Sequence, residues 1–76
     1  MATFTVRQGR RYRATISLGM LERVASNDTI AERLRAAGFS DVTVTGSGAV
    51  RTAEALWPNS DATADMPKQI AAVAEV

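Results

Sequence analysis

The stretch "SNDTIAERLRAAGF", residues 26–39, decides the fold class, because it carries the clearest helical pattern in the chain. The polar "SND" offers N-cap oxygens, Thr29 and Glu32 have capping-box spacing, and Gly38 is placed to end a helix. Apolar residues recur on one helical face and charged residues on the other, namely Ile30, Ala31, Leu34 and Ala37 against Glu32, Arg33 and Arg35. The sequence therefore predicts a helix over residues 28–37.

The residues after this helix predict a β-hairpin. "DVTVT" (41–45) alternates apolar and polar residues, "GSG" (46–48) breaks the pattern, and "AVRTAEALW" (49–57) is the partner strand, ended by Pro58. A three-residue loop would set Val44 opposite Val50. Because "TGSGAV" lacks the lysine of a P-loop and does not open onto a helix, it is interpreted as a turn and not as a phosphate-binding loop.

The N-terminal residues predict two further strands, "TFTV" (3–6) and "RYRATISL" (11–18), joined by "RQGR" with its turn-forming glycine. A two-residue loop at Gln8-Gly9 would place Arg11 and Arg13 on the same face as the apolar residues of the first strand. A three-residue loop opposes Arg7 to Arg11 and gathers the apolar side chains on one face, so this register is favoured, with the pairs Val6–Tyr12, Phe4–Ala14 and Ala2–Ile16.

Three segments complete the predicted order. Residues 20–25 form a helical turn or an irregular connection that helps to cover the sheet, and residues 58–67 form a polar loop with at most one helical turn. Residues 68–76 fit a helix or a strand, and a short strand is favoured. The predicted fold is a single α+β domain over residues 1–76, in two layers. One main helix packs on a mostly antiparallel sheet of four to five strands, in the order β-β-α-β-β with a possible C-terminal strand.

Composition excludes several kinds of chemistry. The 76 residues include no cysteine and no histidine, which removes disulfides, thiolate metal sites, the usual zinc ligands and every triad that depends on imidazole. The sequence therefore predicts a protein that is not an enzyme and has no metal and no cofactor. Because no signal peptide or transmembrane run is evident, the expected location is the cytoplasm, with no membrane span.

Arginines are concentrated in "RQGRRYR", residues 7–13, of a chain whose net charge is only +1. In the favoured register Arg7, Arg11 and Arg13 share one exposed face, where like charges at opposed positions repel. Two explanations remain open: carboxylates of neighbouring strands, such as Glu54 or Glu75, neutralise them, or an anionic partner does so. The near-neutral charge and the buried side predicted for Tyr12 disfavour nucleic acid.

Two other groups of residues invite a functional interpretation. The carboxylates Asp28, Asp41, Asp61 and Asp65 match no calcium-loop spacing and are interpreted as capping and turn residues, with Asp61 and Asp65 the least explained. Trp57, the only tryptophan, is interpreted as an anchor of the core or its edge; if exposed, it would be the best anchor for a partner.

Residues 25–57 combine Ala31 and Leu34 at helical spacing, Gly38 and Phe39 at the end of the predicted helix, and Val50-Arg51 in the hairpin that follows. This arrangement resembles the sporulation-related repeat (SPOR) domain, in which a helix closed by a glycine and an aromatic residue leads into a hairpin. This resemblance covers about half of the chain. The resemblance implies a domain that binds bacterial cell-wall glycan on its sheet, on a polar face around Arg11, Arg13 and Arg51.

The sequence as a whole predicts a small binding or adaptor module that contacts an anionic or polar partner, or a protein surface, through Arg7, Arg11, Arg13 and Arg51. The alternative is a self-associating structural subunit of a bacterial or prophage assembly, a homo-oligomer held by a sheet edge and an apolar patch around Trp57.

Overall fold

One helix and six strands make up the part of the chain that the computed structural model describes, residues 3–19 and 25–76. The expectation for residues 20–24 lies outside these ranges. The elements are β1 (Thr3–Val6), β2 (Arg10–Ser17), α1 (Asn27–Ala36), β3 (Ser40–Ser47), β4 (Val50–Trp57), β5 (Ala62–Asp65) and β6 (Ile70–Glu75). The strands form two antiparallel sheets, one of four strands in the order β3-β4-β2-β6 and one of two strands, β1-β5. The α+β class is confirmed, but the predicted single main sheet is only partly matched.

Residues that directly flank α1 in the sequence cap the helix at both ends. At the start, the Ser26 hydroxyl accepts a hydrogen bond from the Thr29 N–H at 3.1 Å, so "SND" does supply the N-cap, whereas the proposed Thr29–Glu32 capping box is wrong. At the end, the Gly38 N–H donates to Arg35 C=O at 3.0 Å and the Phe39 N–H to Leu34 C=O at 3.1 Å. These two bonds form a Schellman motif, which requires the positive φ of +115° that Gly38 adopts.

Strand β2 is internal in the four-stranded sheet, and this overturns the predicted N-terminal hairpin. β2 pairs with β4 on one side and with β6 on the other, so neither edge of β2 is free to pair with β1. β1 instead pairs with β5, with Phe4 opposite Ala64 and Val6 opposite Ala62. Residues 58–67, predicted to be a polar loop, therefore contain a strand. The predicted C-terminal strand is confirmed as β6.

The β3–β4 hairpin is confirmed, but its register differs from the prediction. Val44 lies opposite Ala53 and not opposite Val50, because β3 continues through Gly46 to Ser47 before the chain turns. Gly46 and Gly48 have φ of +100° and +72°, which allow this path and a turn at Gly48-Ala49. β3 also carries a bulge, since it advances by three residues from Ser40 to Thr43 where β4 advances by two, from Leu56 to Glu54.

Two apolar clusters lie on one face of the four-stranded sheet. Under β1 and β5, the buried residues Val6, Tyr12 and Trp57 pack with Phe4, Phe39, Ala62 and Val73. Beneath α1, the buried residues Ile16, Ile30 and Ala53 pack with Leu18, Leu34 and Val44. The helix and the β1-β5 ribbon thus cover the same face and leave the opposite face bare. Within the described ranges no helix is both long enough and apolar enough to cross a membrane.

Candidate functional site

The bare side of the four-stranded sheet, here called the open face, is the candidate site. Strand registers place its side chains in rows that cross the sheet. One row contains threonines from three adjacent strands, and the next contains opposite charges: Ala72, Thr15, Thr52 and Thr45, then Ala74, Arg13, Glu54 and Thr43. Every one of these residues is exposed or half-buried. The open face therefore presents hydroxyls and charges to solvent over β2, β4 and β3, with small alanine side chains on β6.

Both arginines of the open face have a carboxylate of this chain as partner. Arg13 lies directly opposite Glu54, and its Nη2 is 3.3 Å from Glu54 Oε1. Arg11 Nη1 is 2.7 Å from Asp41 Oδ2. Of the two explanations that the sequence left open for Arg11 and Arg13, the geometry supports counter-charge from within the chain. Glu54 is one of the two carboxylates named for this role, and Asp41 takes the place of Glu75.

Asp41 reaches Arg11 because of the bulge in β3. Its φ of 50° makes it the one non-glycine residue with positive φ among those that the structure describes. Aspartate tolerates this conformation better than most residues, since its short polar side chain can form local hydrogen bonds. The sequence shows the aspartate at the start of the strand but not the bulge, so its pairing with Arg11 could not be predicted.

The turn that joins β1 to β2 holds the remaining arginines of the cluster, Arg7 and Arg10, away from the open face. Arg10 N–H donates to Arg7 C=O at 3.2 Å, and Gly9 has a φ of +80°, which is the pattern of a type II turn. The expectation that Arg7 lies opposite Arg11 is therefore wrong. Both side chains are exposed, and neither guanidinium forms an ion pair with a residue in the described ranges.

Side-chain oxygens accept hydrogen bonds from two backbone N–H groups of this turn and help to hold it against the body of the protein. The Arg7 N–H donates to the Tyr12 hydroxyl at 2.6 Å, and the Gln8 N–H donates to Asp61 Oδ1 at 2.8 Å. Asp61, left unexplained by its spacing in the sequence, is thus the internal acceptor for a backbone N–H of the arginine-rich turn. The prediction that Tyr12 faces the core is confirmed, since it is 7% exposed.

Arg51 is not part of the open face, contrary to the expectation drawn from the SPOR resemblance. It is only 5% exposed and lies on the covered side of the sheet, in line with Ala53 and Ala55. Its guanidinium donates to Gly48 C=O at 3.1 Å, Ala25 C=O at 3.0 Å and Asn27 Oδ1 at 2.7 Å. Arg51 therefore ties the β3–β4 turn to the start of α1, and its alternation with Val50 and Thr52 explains the inward direction.

Trp57 occupies the core and not the surface. It is 9% exposed, its Nε1–H donates to Ser60 C=O at 2.8 Å, and its ring meets that of Phe39 edge-on at a centroid distance of 4.9 Å. The interpretation as a core anchor is confirmed. Trp57 is therefore not itself the exposed centre of the apolar patch predicted for the self-assembly alternative, but its ring lines a small apolar depression together with Phe4, Phe39 and Ala62.

An apolar groove and a metal site are the other candidates to compare with the open face. An apolar groove of about 370 Å³ lies between α1 and the ends of β2 and β6, lined mainly by Ile16, Leu18, Ile30, Leu34, Pro67 and Ile70. Within residues 3–19 and 25–76, no three acidic side chains are close enough together to hold a metal ion. The concentration of exposed polar groups on the open face makes that face the stronger candidate.

A scan of protein-family models and searches of curated proteins and of solved structures found no match to this chain.

Proposed function

We propose that this protein is a small non-enzymatic binding module, and that its open face binds a hydroxyl-rich partner of low charge density, a glycan strand of the bacterial cell wall. The observation that carries the proposal is the arrangement of side chains on a sheet face that neither α1 nor the β1-β5 ribbon covers. These side chains are held in rows by the strand registers.

The charge balance of this face supports a partner rich in hydroxyls over a dense polyanion. Arg11 and Arg13 are matched by Asp41 and Glu54, so the face offers two cations and two anions in fixed pairs. A polyanion would have to compete with these carboxylates for the arginines and would be repelled by them. Sugar hydroxyls can accept from a guanidinium and donate to a carboxylate at once, so they can join such pairs without breaking them.

The threonine row supplies the same kind of chemistry. Thr15, Thr52 and Thr45 lie side by side on adjacent strands. The hydroxyls of Thr15 and Thr52 can each donate one hydrogen bond and accept others, whereas that of Thr45 donates to Thr52 C=O at 3.5 Å and serves as an acceptor. With strands about 4.8 Å apart, the row extends about 10 Å across the sheet. The SPOR resemblance of residues 25–57 supports the choice of cell-wall glycan among hydroxyl-rich ligands.

A titration of ¹⁵N-labelled protein with soluble cell-wall glycan fragments, followed by NMR, tests the proposal. We expect the largest chemical-shift changes at Arg13, Thr15 and Thr52. Substitution Thr52→Val keeps the side-chain shape and removes the hydroxyl, so it should weaken binding severalfold. The matched control Arg33→Gln, on the exposed side of α1, should bind like the wild type.

Two outcomes would contradict the proposal. One is a titration in which the amides of the open face do not shift at saturating glycan. The other is preferential binding of heparin with shifts centred on Arg7 and Arg10, which would indicate an anionic partner at the β1–β2 turn instead.

A further inference from the structure

The two outer strands of the four-stranded sheet differ in how well they are protected from pairing with another strand. β3 is irregular along its length, because it has a bulge at residues 41–42 and a glycine of φ +100° at Gly46. β6 has its register shift near its beginning, opposite Thr15 and Ile16, and is regular from Ala72 to Glu75. Bulges are a common protection of sheet edges, so β6 is the less protected edge.

The backbone groups that β6 directs away from the sheet can be assigned. Val76 N–H donates to Arg11 C=O at 3.0 Å, so this residue directs its hydrogen-bonding groups toward β2. In an antiparallel pair this direction alternates along the strand, so Ala74 and Ala72 also face β2. Val73 and Glu75 therefore direct their N–H and C=O groups outward, where no strand of the described chain pairs with them.

The side chains of β6 do not hinder a neighbour. Its sequence "IAAVAE" contains three exposed alanines, no lysine and no proline, and its one charge is at Glu75. Lysine and proline are the residues that most often block edge pairing. The domain also has a sparse core, since no large side chain in the described ranges is less than 2% exposed, so additional burial would stabilise it.

We infer that β6 is a homodimer interface, at which the β6 strands of two copies pair antiparallel to form a continuous eight-stranded sheet. A second copy fits because a two-fold axis normal to the sheet reverses the strand direction and keeps each face on its own side. Side chains of the two copies stay on matching faces only if even-numbered residues pair with even-numbered ones and odd with odd. Pairing Val73 with the Val73 of the second copy is one such register.

This register matches the chemistry of the edge. It places Ala72 opposite the Ala74 of the second copy on the open side, where both side chains are small and exposed. On the covered side, the two Val73 side chains meet and extend the cluster around Tyr12 and Trp57. The two Glu75 carboxylates lie four residues apart along the strands, about 13 Å, so they do not oppose each other. The inference does not depend on what the open face binds.

Sedimentation equilibrium over a wide range of protein concentration tests the interface. The wild type should reach a mass twice that of the 8.1 kDa chain. Substitution Ala74→Lys adds an ammonium group beside Arg13 at the pairing edge and should raise the dimer dissociation constant at least tenfold. The control Thr43→Lys adds the same group at the opposite end of the same cross-strand row and should leave the dimer intact.

Amide hydrogen exchange on the wild type gives an independent readout that needs no variant. In the dimer the Val73 amide should be protected at high protein concentration and exchange quickly after dilution, whereas those of Ala72 and Ala74 stay protected in both. A wild type that remains monomeric at millimolar concentration, or equal weakening by Thr43→Lys and Ala74→Lys, would overturn the inference. Fast exchange at Val73 at every concentration would do so as well.

Discussion

The backbone of Gly38 lies against the six-membered ring of the Trp57 indole, so close that a Cβ on residue 38 would be 3.0 Å from two of its carbons. The Asn59 side-chain amide donates to Gly38 C=O at 2.9 Å on the same side. These contacts hold the end of α1 against the end of β4. Gly38 therefore belongs to the Schellman motif and also packs on the core residue Trp57.

Substitution Gly38→Ala should destabilise the protein by about 2–4 kcal/mol, because φ of +115° strains any side chain and the new methyl group collides with Trp57. Gly48→Ala is the matched control, since its φ is +72° and no atom lies within 4 Å of the added Cβ. That change should cost about 1 kcal/mol. Urea unfolding curves of the two variants would show whether the contact with Trp57 matters beyond the backbone strain.

Among substitutions of charged residues, we expect replacement of Arg51 to lower the stability of the protein most. Arg51→Met keeps the apolar part of the side chain but leaves the oxygens of Gly48, Ala25 and Asn27 without this donor, at a cost of about 3 kcal/mol. Arg51→Lys keeps the charge but cannot reproduce the fork of donors, so it should recover only part of the loss. Equal stability of wild type and Arg51→Met in thermal unfolding would refute this role.

The conformation of Asp41 should matter more to stability than its ion pair with Arg11. The two side chains are 73% and 40% exposed, and exposed ion pairs contribute about 0–1 kcal/mol. Asp41→Asn should therefore change the free energy of unfolding by less than about 0.5 kcal/mol, since asparagine also tolerates positive φ. Asp41→Val should cost about 1–2 kcal/mol, because a β-branched residue does not. If Asn and Val variants lose the same stability, the ion pair is the dominant effect.

The buried hydroxyl of Tyr12 should contribute to the stability of the arginine-rich turn. Tyr12→Phe leaves the part-buried Arg7 N–H without its acceptor and should cost about 1–2 kcal/mol in chemical denaturation. Thr5→Val removes an exposed hydroxyl that bonds to Thr63 at 2.8 Å and should cost less than about 0.5 kcal/mol. A Tyr12→Phe variant as stable as Thr5→Val would show that water replaces the lost acceptor.

Local sequence patterns predicted most helices and strands, whereas the pairing of β1 depends on residues far away in the sequence and could not be predicted. The helix, its glycine cap and the C-terminal strand follow from patterns within a few residues, and the structure contains all three. The strand that pairs with β1 could not be predicted from such local patterns, because a strand of four alternating residues fits beside any free sheet edge. Its actual partner is residues 62–65, and their sequence "ATAD" has weak strand propensity.

The candidate site shows the same division. Alternation along β2 placed Arg11 and Arg13 on the exposed face correctly, and Glu54 was identified as a counter-charge. The SPOR resemblance implies the wrong face for Arg51, and the pattern of β4 does not correct it, because small and large apolar residues occupy both parities of that strand. A short arginine-to-backbone network leaves no recognisable spacing in a sequence.

The pairing of β1 with β5 has a consequence for how the chain folds. Thr3 lies opposite Asp65, so the ribbon joins parts of the chain near its two extremes, whereas α1 and the β3–β4 hairpin close over short distances. Contacts between residues so distant in sequence form late in folding. Until residues 62–65 arrive, the cluster of Val6, Tyr12 and Trp57 lacks its cover, so we expect substitutions in that cluster to affect the unfolding rate more than the folding rate.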